Sequence, residues 1–558
     1  MTVRSYAAAI KNFDLASALS FLAMNGDGAV NAAEVCCDRH AVDGAKLALR
    51  HRSPTGETRD WTFEELKHRS SQIAQALADR GVGKGDCVAG LLPRTPELLI
   101  TILATWRLGA MYLPLFTAFG PKAIAHRLSI AAPRAIVTDR SNRRKLDGIA
   151  GAAAIITIGA TPSDDDADFW SVLEQNFGSL GPVACTLDDP FLLMFTSGST
   201  GPPKSLHVPL RAIAAFAEYV RDALDVRNTD RFWNIADPGW AYGLYYAIAG
   251  PLALGVTIIF HEGSFSVDSA YDMIKEYAIT NVAGSPTAYR LIVAAGSEAA
   301  TAVRGQLRVV SSAGEPLNPE IIRWFRQHLD TTIHDHFGQT EMGMVLCNHH
   351  GLDHSVRMGS AGFAVPGHRV VVLSPDSVEL GIGMPGELAL DVARSPLMWF
   401  KGYKGQATPA LRDGYFRSGD MVEHNDDGSI SFIGRSDDVI TTSGYRVGPF
   451  DVESALIEHG AVLESAVIGK PDPERTEIIK AFVVLKPGYG PDPALAEELR
   501  LHVRSRLSAH AYPREIAFVA ELPKTPSGKI QRFLLRNQEI AQADQPIEDR
   551  ASDGKDMT

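Results

Sequence analysis

Cysteine is scarce in this chain of 558 residues: Cys36, Cys37, Cys87, Cys185 and Cys347 are the full set, and no two stand in a C-x-x-C spacing. That pattern excludes a disulfide framework and points to a reducing compartment. Positive charge is also short, with 54 Lys and Arg against 66 Asp and Glu and a formal net charge of -12. A nucleic-acid partner therefore finds no electrostatic support. Long apolar runs are missing. The longest, "YYAIAGPLALGVTIIF", is too short to span a bilayer and is interrupted by Gly250, Pro251 and Gly255. It reads as buried core. The N-terminal "MTVRSYAAAIKNFD" has no continuous apolar signal core, so the expectation is a cytoplasmic protein without a membrane span. No G-x-S-x-G elbow and no H-E-x-x-H pair occurs, which leaves serine-hydrolase and zincin chemistry without a motif.

What is present begins with "MFTSGSTGPPKS", Met194 to Ser205. From Gly198 it stands one residue from the phosphate-binding pattern G-x-x-x-x-G-K-[ST], with Pro203 where glycine is required. A proline offers no N–H to a phosphate nest. The flanks disagree with a P-loop as well. "FLLMF" before it and "SLHV" after it both read as strands, with a helix starting only near Pro209. The unit is strand–loop–strand, not strand–loop–helix. Its small residues, hydroxyls and terminal lysine still suit a polyphosphate.

The length allows about three or four domains' worth of core. "WTFEELKHRSSQIAQALADRGV" is a helix opened by a Thr62/Glu65 capping box and closed at Gly81. Short strands such as "DCVAGLL", "RAIVTD", "NVAGS" and "LRVVSSAG" alternate with helical patterns such as "PELLITILATWRLGA" and "PEIIRWFRQHL". The alternation predicts layered α/β subdomains. From about Gly359 strands and turns dominate, with Asp427-Gly428 as a hairpin signal. After "GRSDD" comes a compact α+β module. The expected division is 1–435, 436–540 and a polar, acidic tail 541–558 that reads as disordered.

Several short motifs follow strands, where ligand loops sit in α/β folds. "SSAGEPL" places Gly314, Glu315 and Pro316 there. "HFGQTEMG" offers Phe337 as an aromatic face and Glu341 as a magnesium carboxylate. "YFRSGD" offers Asp420 for two ribose hydroxyls, and "TPSGKI" offers Lys529 in a glycine loop. Taken singly, each is as well explained by a turn, a cap or a solvated surface residue. "CNHHGLDH" gathers Cys347, His349, His350 and His354, but no second ligand pair completes a zinc spacing.

Taken together and in this order, "FTSGSTGPPK", "SAGEP", "HFGQTE", "YFRSGD", "GRSDD", "SGYR" and "PKTPSGK" resemble the adenylate-forming superfamily of acyl-CoA synthetases, adenylation domains and luciferases. The resemblance runs from about Ala33 to Arg536. "DPGWAYG", "SGYRVGPFDVESAL" and "LPKTPSGKIQR" look most like medium-chain acyl-CoA synthetases, and next like acetyl-CoA synthetases. Ser205 and Phe337 depart from the glycine and tyrosine common at those places.

The resemblance implies a large N-terminal domain and a small mobile C-terminal domain that share an active site, with Asp437 as the hinge. It implies activation of a carboxylic acid by ATP and Mg2+ to an acyl-adenylate, then transfer to coenzyme A. Thr196, Ser197, Gly198, Ser199, Thr200, Gly201, Pro202, Pro203 and Lys204 would cradle the phosphates. Gly314, Glu315, Pro316, Asp335, His336, Phe337, Gly338 and Gln339 would surround the adenine side. Thr340 would meet the α-phosphate, Glu341 the metal, and Asp420 with Arg435 the ribose. Lys529 and Arg446 would be catalytic cations. Ser443, Gly444 and Tyr445 would line the coenzyme A arm, with Arg475 and Arg504 at its phosphates. Trp240, Tyr242 and Gly338 would form the acyl pocket. Acetyl-CoA synthetases carry tryptophan at the place of Gly338, so a pocket extending past acetate is expected, unless Trp240 or Tyr242 refills it. Other readings stay open here: acetate or propionate as substrate, loading of a carrier protein, a catalytically silent relative, and a homo-oligomer.

Overall fold

The short apolar strands and intervening helices form mixed α/β layers in a computed structural model, which describes residues 4–24, 28–160, 165–175, 180–196, 203–442, 445–472, 474–507, 511–525 and 529–543. The expected tail, 541–558, falls largely outside them. The chain divides into a large and a small unit. The first takes in the described residues of Met1–Leu317, Ile322–Val370 and Leu390–Phe416; the second takes in those of Asn318–Ile321, Val371–Ala389 and Arg417–Thr558.

Two larger sheets carry the motifs of the first unit. In one, Cys87–Leu91 lies between Met111–Pro114 and Ala135–Asp139, both parallel to it. Ala154–Ile158 extends one side. Pro190–Phe195 extends the other, and Ser205–Pro209 turns back antiparallel on it with Ser205 opposite Phe195. The strand–loop–strand reading of the phosphate motif is therefore what the chain adopts. Helices cover the sheet for local reasons. Phe63–Asp79 opens on the capping box: Thr62 N–H donates to Glu65 Oε2 at 2.8 Å, and Glu65 N–H to Thr62 Oγ1 at 3.1 Å. Pro96–Arg107 starts with proline in its first turn and is apolar nearly all round, as a helix buried on every side must be.

The second sheet of this unit runs Phe232–Asn234, Asn281–Gly284, Val309–Ala313 and Ile333–Gln339 in parallel. Gly343–Cys347 and Ser360–Ala364 follow antiparallel. The apolar run from Tyr245 is core, as expected, but part of it is a π-helix, Leu244–Ala249. A second π-helix spans Tyr219–Ala223. Such turns are rare and gather at functional sites.

In the second unit, residues 420–424 pair antiparallel with Ile430–Arg435. Val462–Asp472 and Thr476–Leu485 form a long hairpin, joined by Ile440–Thr442, Tyr445–Val447 and Glu515–Phe518. Pro449–Ile457 and Pro493–Arg506 pack on it around Val452, Leu456, Leu499 and Val503. None of the described helices is long and apolar enough to cross a membrane.

Candidate active site

The phosphate motif is anchored at both ends. Thr196 N–H donates to Lys204 O at 2.9 Å, continuing the hairpin beyond Phe195 and Ser205. Ser197, Gly198, Ser199, Thr200, Gly201 and Pro202 lie outside the described residues. Pro203 and Lys204 are half-buried. Lys204 Nζ stands 4.9 Å from the centroid of the Tyr403 ring, a cation–π contact. The Tyr403 hydroxyl in turn donates to Glu341 Oε1 at 2.7 Å. One tyrosine thus gathers the lysine of the first motif and the carboxylate of the third, 137 positions apart by number. Glu341 is buried.

The strand Ile333–Gln339 carries the third motif and a register shift between Phe337 and Gly338. Its hairpin with Gly343–Cys347 is pinned by the π-helix. Tyr245 OH donates to Thr340 O at 3.1 Å, and Met344 N–H donates to Tyr246 OH at 2.8 Å. Asp335 accepts from Leu317 N–H at 3.1 Å through Oδ2, while its buried Oδ1 has no partner among the described residues. Burial pushes this carboxyl up to about 8, against the pull of the Leu317 N–H. A buried carboxyl with one oxygen unpaired suits a hydrogen bond to the edge of a purine such as adenine. Gly314, just after Val309–Ala313, is exposed at φ 103, a conformation that glycine adopts without strain. Glu315 beside it is held by Arg290, at 2.8 Å.

Gly338 requires a correction. A Cβ built there would lie 2.1 Å from Gly343 O and 2.7 Å from Met344 Cα. The missing side chain therefore opens no pocket; the space is already filled by backbone of the neighbouring strand. Glycine is needed here for close strand approach at the register shift.

Trp240 and Tyr242 leave a tight turn in which Gly239 N–H donates to Asp237 Oδ1 at 2.7 Å and Trp240 N–H to Asp237 O at 3.0 Å. They belong to different packing groups. The Trp240 indole sits against Phe116 and Phe119, with centroids 5.6 and 5.4 Å away. Tyr242 packs toward Tyr246 and hydrogen-bonds Tyr219.

In the second unit, Asp420 and Arg435 are direct cross-strand partners, with Arg435 Nη1 3.3 Å from Asp420 Oδ1. Burial works against the Arg435 charge, but Asp420, Asp437 and Asp438 together hold its pKa up. Asp437 lies in the following turn, 3.5 Å from Arg435 Nε. Lys529 is exposed and tied to Thr525: Thr525 N–H donates to Lys529 O at 2.8 Å, and Lys529 N–H to Thr525 Oγ1 at 3.1 Å. Ser443 and Gly444 lie outside the described residues; Tyr445 and Arg446 open the strand Tyr445–Val447. Arg475 sits at the turn of the long hairpin, its N–H bonded to Asp472 Oδ1 at 2.8 Å. Arg504 stands 5.6 Å from the Tyr512 ring, which Arg500 and Arg514 also approach.

Tyr403, Tyr219 and Arg290 are the residues sequence reading missed. The glycine- and lysine-flanked aromatic run "WFKGYKG" around Tyr403 was a usable signal; nothing local marked the other two. A single buried carboxylate with a hydroxyl donor suits magnesium, which completes its shell with phosphate oxygens and water. No three His, Cys, Asp or Glu side chains among the described residues converge as a metal cluster. His349 of "CNHHGLDH" is instead buried, and the half-buried His350 stacks on His334 with ring centroids 3.7 Å apart.

Comparison with known proteins identifies the family. The chain matches the family model AMP-binding enzyme over residues 30–403, and AMP-binding enzyme C-terminal domain over 451–529. It is 37% identical over 551 residues to the acetyl-coenzyme A synthetase of Bacillus subtilis, covering 96% of each chain. It is 34% identical over 503 residues to a mitochondrial acyl-coenzyme A synthetase of Rattus norvegicus, covering 88% of this chain and 86% of that one. The crystal structure of a Brucella canis acyl-CoA synthetase is 55% identical, with a TM-score of 0.79 over 97% of this chain and 100% of that one. The chain belongs to the AMP-binding enzyme family and, within it, to the acyl-CoA synthetases, the AMP-forming acid–thiol ligases that use ATP, Mg2+ and coenzyme A.

Proposed function

We propose that the chain activates a short- or medium-chain carboxylic acid in the cytoplasm, with the residues named above in the following roles. The observation that carries this reading is the Lys204–Tyr403–Glu341 cluster, which puts a phosphate-binding cation and a metal-binding carboxylate on one side chain. In the first step a carboxylate oxygen of the acid attacks the α-phosphate of ATP and pyrophosphate leaves. Glu341 would hold magnesium, which would supply charge neutralisation to the phosphates. Thr196 and Lys204 frame the loop that holds the β- and γ-phosphates. Thr340 meets the α-phosphate, and Lys529 with Arg446 balances charge that grows there in the transition state. Asp335 hydrogen-bonds the adenine edge through Oδ1, beside Phe337 and the Gly314–Pro316 turn. Asp420, steadied by Arg435, takes the ribose hydroxyls. In the second step the coenzyme A thiol attacks the acyl carbonyl carbon and AMP leaves, with Ser443, Gly444 and Tyr445 along the pantetheine arm and Arg475 and Arg504 at its phosphates. The functional boundary lies after Arg435, with Asp437 as hinge.

Acetate or propionate is the second reading. It is favoured by the Bacillus subtilis relative and by the filled space at Gly338. ATP–pyrophosphate exchange with acetate, propionate, butyrate, isobutyrate and hexanoate separates the two, followed by coenzyme A-dependent AMP release. Butyrate or hexanoate should support exchange at least as well as acetate. A strong preference for acetate establishes the second reading, and exchange with no acid at all refutes both.

A further inference from the structure

The first unit contains a hydrogen-bonded chain whose direction can be worked out atom by atom. Tyr242 OH and Tyr219 OH are 3.1 Å apart; Tyr219 OH is 2.7 Å from His336 Nδ1; His336 Nε2 is 3.2 Å from Asn348 O. A carbonyl oxygen only accepts, so His336 Nε2 carries a proton. The imidazole is buried, and burial holds its pKa well below the ordinary histidine value, so it is neutral. Its Nδ1 is then a lone pair, and the Tyr219 hydroxyl donates to it. The Tyr219 oxygen in turn takes the proton of Tyr242. His334 Nδ1, 2.8 Å from the same Asn348 oxygen, is a second donor there. The only hydroxyl proton of Tyr242 is therefore committed inward. Its oxygen is left with lone pairs alone. Tyr219 and His336 are buried, whereas Tyr242 is half-buried and forms the outer end of the chain.

We propose that Tyr242 is a one-way specificity residue that favours carboxylic acids bearing a hydroxyl or N–H group over their alkyl or ether counterparts. The proposal rests on the reading of Tyr242 as a wall of the acyl pocket. An alkyl chain against this oxygen removes its water and returns no donor, and an ether oxygen opposes it with a second acceptor. A hydroxyl restores the lost hydrogen bond. Sites built around a hydrogen bond reject analogues lacking it more strongly than apolar pockets reject small changes of size.

The test needs no variant at first. 4-Hydroxybutyrate, pentanoate and 3-methoxypropionate have the same chain length; the first ends in a donor, the second in a methyl group, and the third carries an ether acceptor one atom nearer the carboxylate. In ATP–pyrophosphate exchange with the full chain, kcat/KM should favour 4-hydroxybutyrate over pentanoate by about tenfold, with 3-methoxypropionate poorest. Tyr242→Phe should bring the hydroxybutyrate-to-pentanoate ratio close to one. Tyr219→Phe frees the Tyr242 proton to point outward, so 3-methoxypropionate should gain relative to the other two. A purely structural role for either tyrosine would lower all three acids alike and leave the ratios unchanged. Wild-type discrimination below twofold, or a ratio that survives Tyr242→Phe, overturns the proposal while leaving acid activation intact. No exchange with these acids, acetate or butyrate overturns the underlying reading instead.

Discussion

Replacing Tyr403 by phenylalanine isolates one atom of the proposed centre. The ring, and with it the contact to Lys204 Nζ at 4.9 Å, is kept; the hydroxyl that donates to Glu341 Oε1 at 2.7 Å is lost. A hydrogen bond to a charged group contributes about 1.5–3 kcal/mol, because the carboxylate left behind is buried and cannot recruit bulk water freely. If the bond orients Glu341 for the metal that the transition state needs, kcat/KM for adenylation should fall by roughly ten- to 150-fold. The loss should appear in ATP–pyrophosphate exchange and should shift the Mg2+ dependence to higher concentration. Thioester formation from supplied acyl-adenylate, which passes no phosphoryl charge, should be nearly unaffected. Tyr403→Ala should cost more, since it also removes the aromatic face under Lys204, worth about 0.5–1 kcal/mol. Exchange within twofold of wild type for Tyr403→Phe at every Mg2+ concentration would refute the assignment of this cluster to the first step.

Three further outcomes follow from the geometry. Lys529→Ala should reduce pyrophosphate exchange on the order of 10²–10³-fold and spare thioester formation from acyl-adenylate; equal loss in both half-reactions would count against a first-step role. Gly338→Ala should lower the melting temperature and adenylation together, because its Cβ would sit 2.1 Å from Gly343 O and the strands must separate; an unchanged melting curve would show that the hairpin can yield. Acid should destabilise the fold through His349 and His368, which burial pushes down to about 3 and about 4. The unfolded chain binds their protons from about pH 6.5 downward while the native state does not, so stability is lost from there down to about pH 4 for His368 and about pH 3 for His349. By pH 5 the loss is on the order of 2 kcal/mol for each. Denaturant titrations at pH 7 and pH 5 measure it, and His368→Gln should shrink the difference; equal stability at the two pH values would contradict the burial argument.

What the sequence determined by itself is whatever depends on neighbours along the chain. The capping of Phe63–Asp79 by Thr62 and Glu65 involves residues three positions apart. The hairpin around "TSGSTGPPKS" follows from two short apolar strands and from prolines that no P-loop amide nest tolerates. The order of the motifs was likewise legible, because each is a short loop whose glycines and charges must stand at fixed offsets. The tertiary structure alone decided how distant side chains meet. Tyr403 reaches Glu341 from 62 positions away, and Tyr219 reaches His336 from 117. Neither periodicity nor turn chemistry encodes such pairs, since they depend on how sheets and π-helical turns pack. Gly338 shows the same limit from the other side. A missing side chain in the sequence suggested free volume, whereas the direction of the Cα–Cβ bond, which only the folded backbone defines, points it into the adjacent strand.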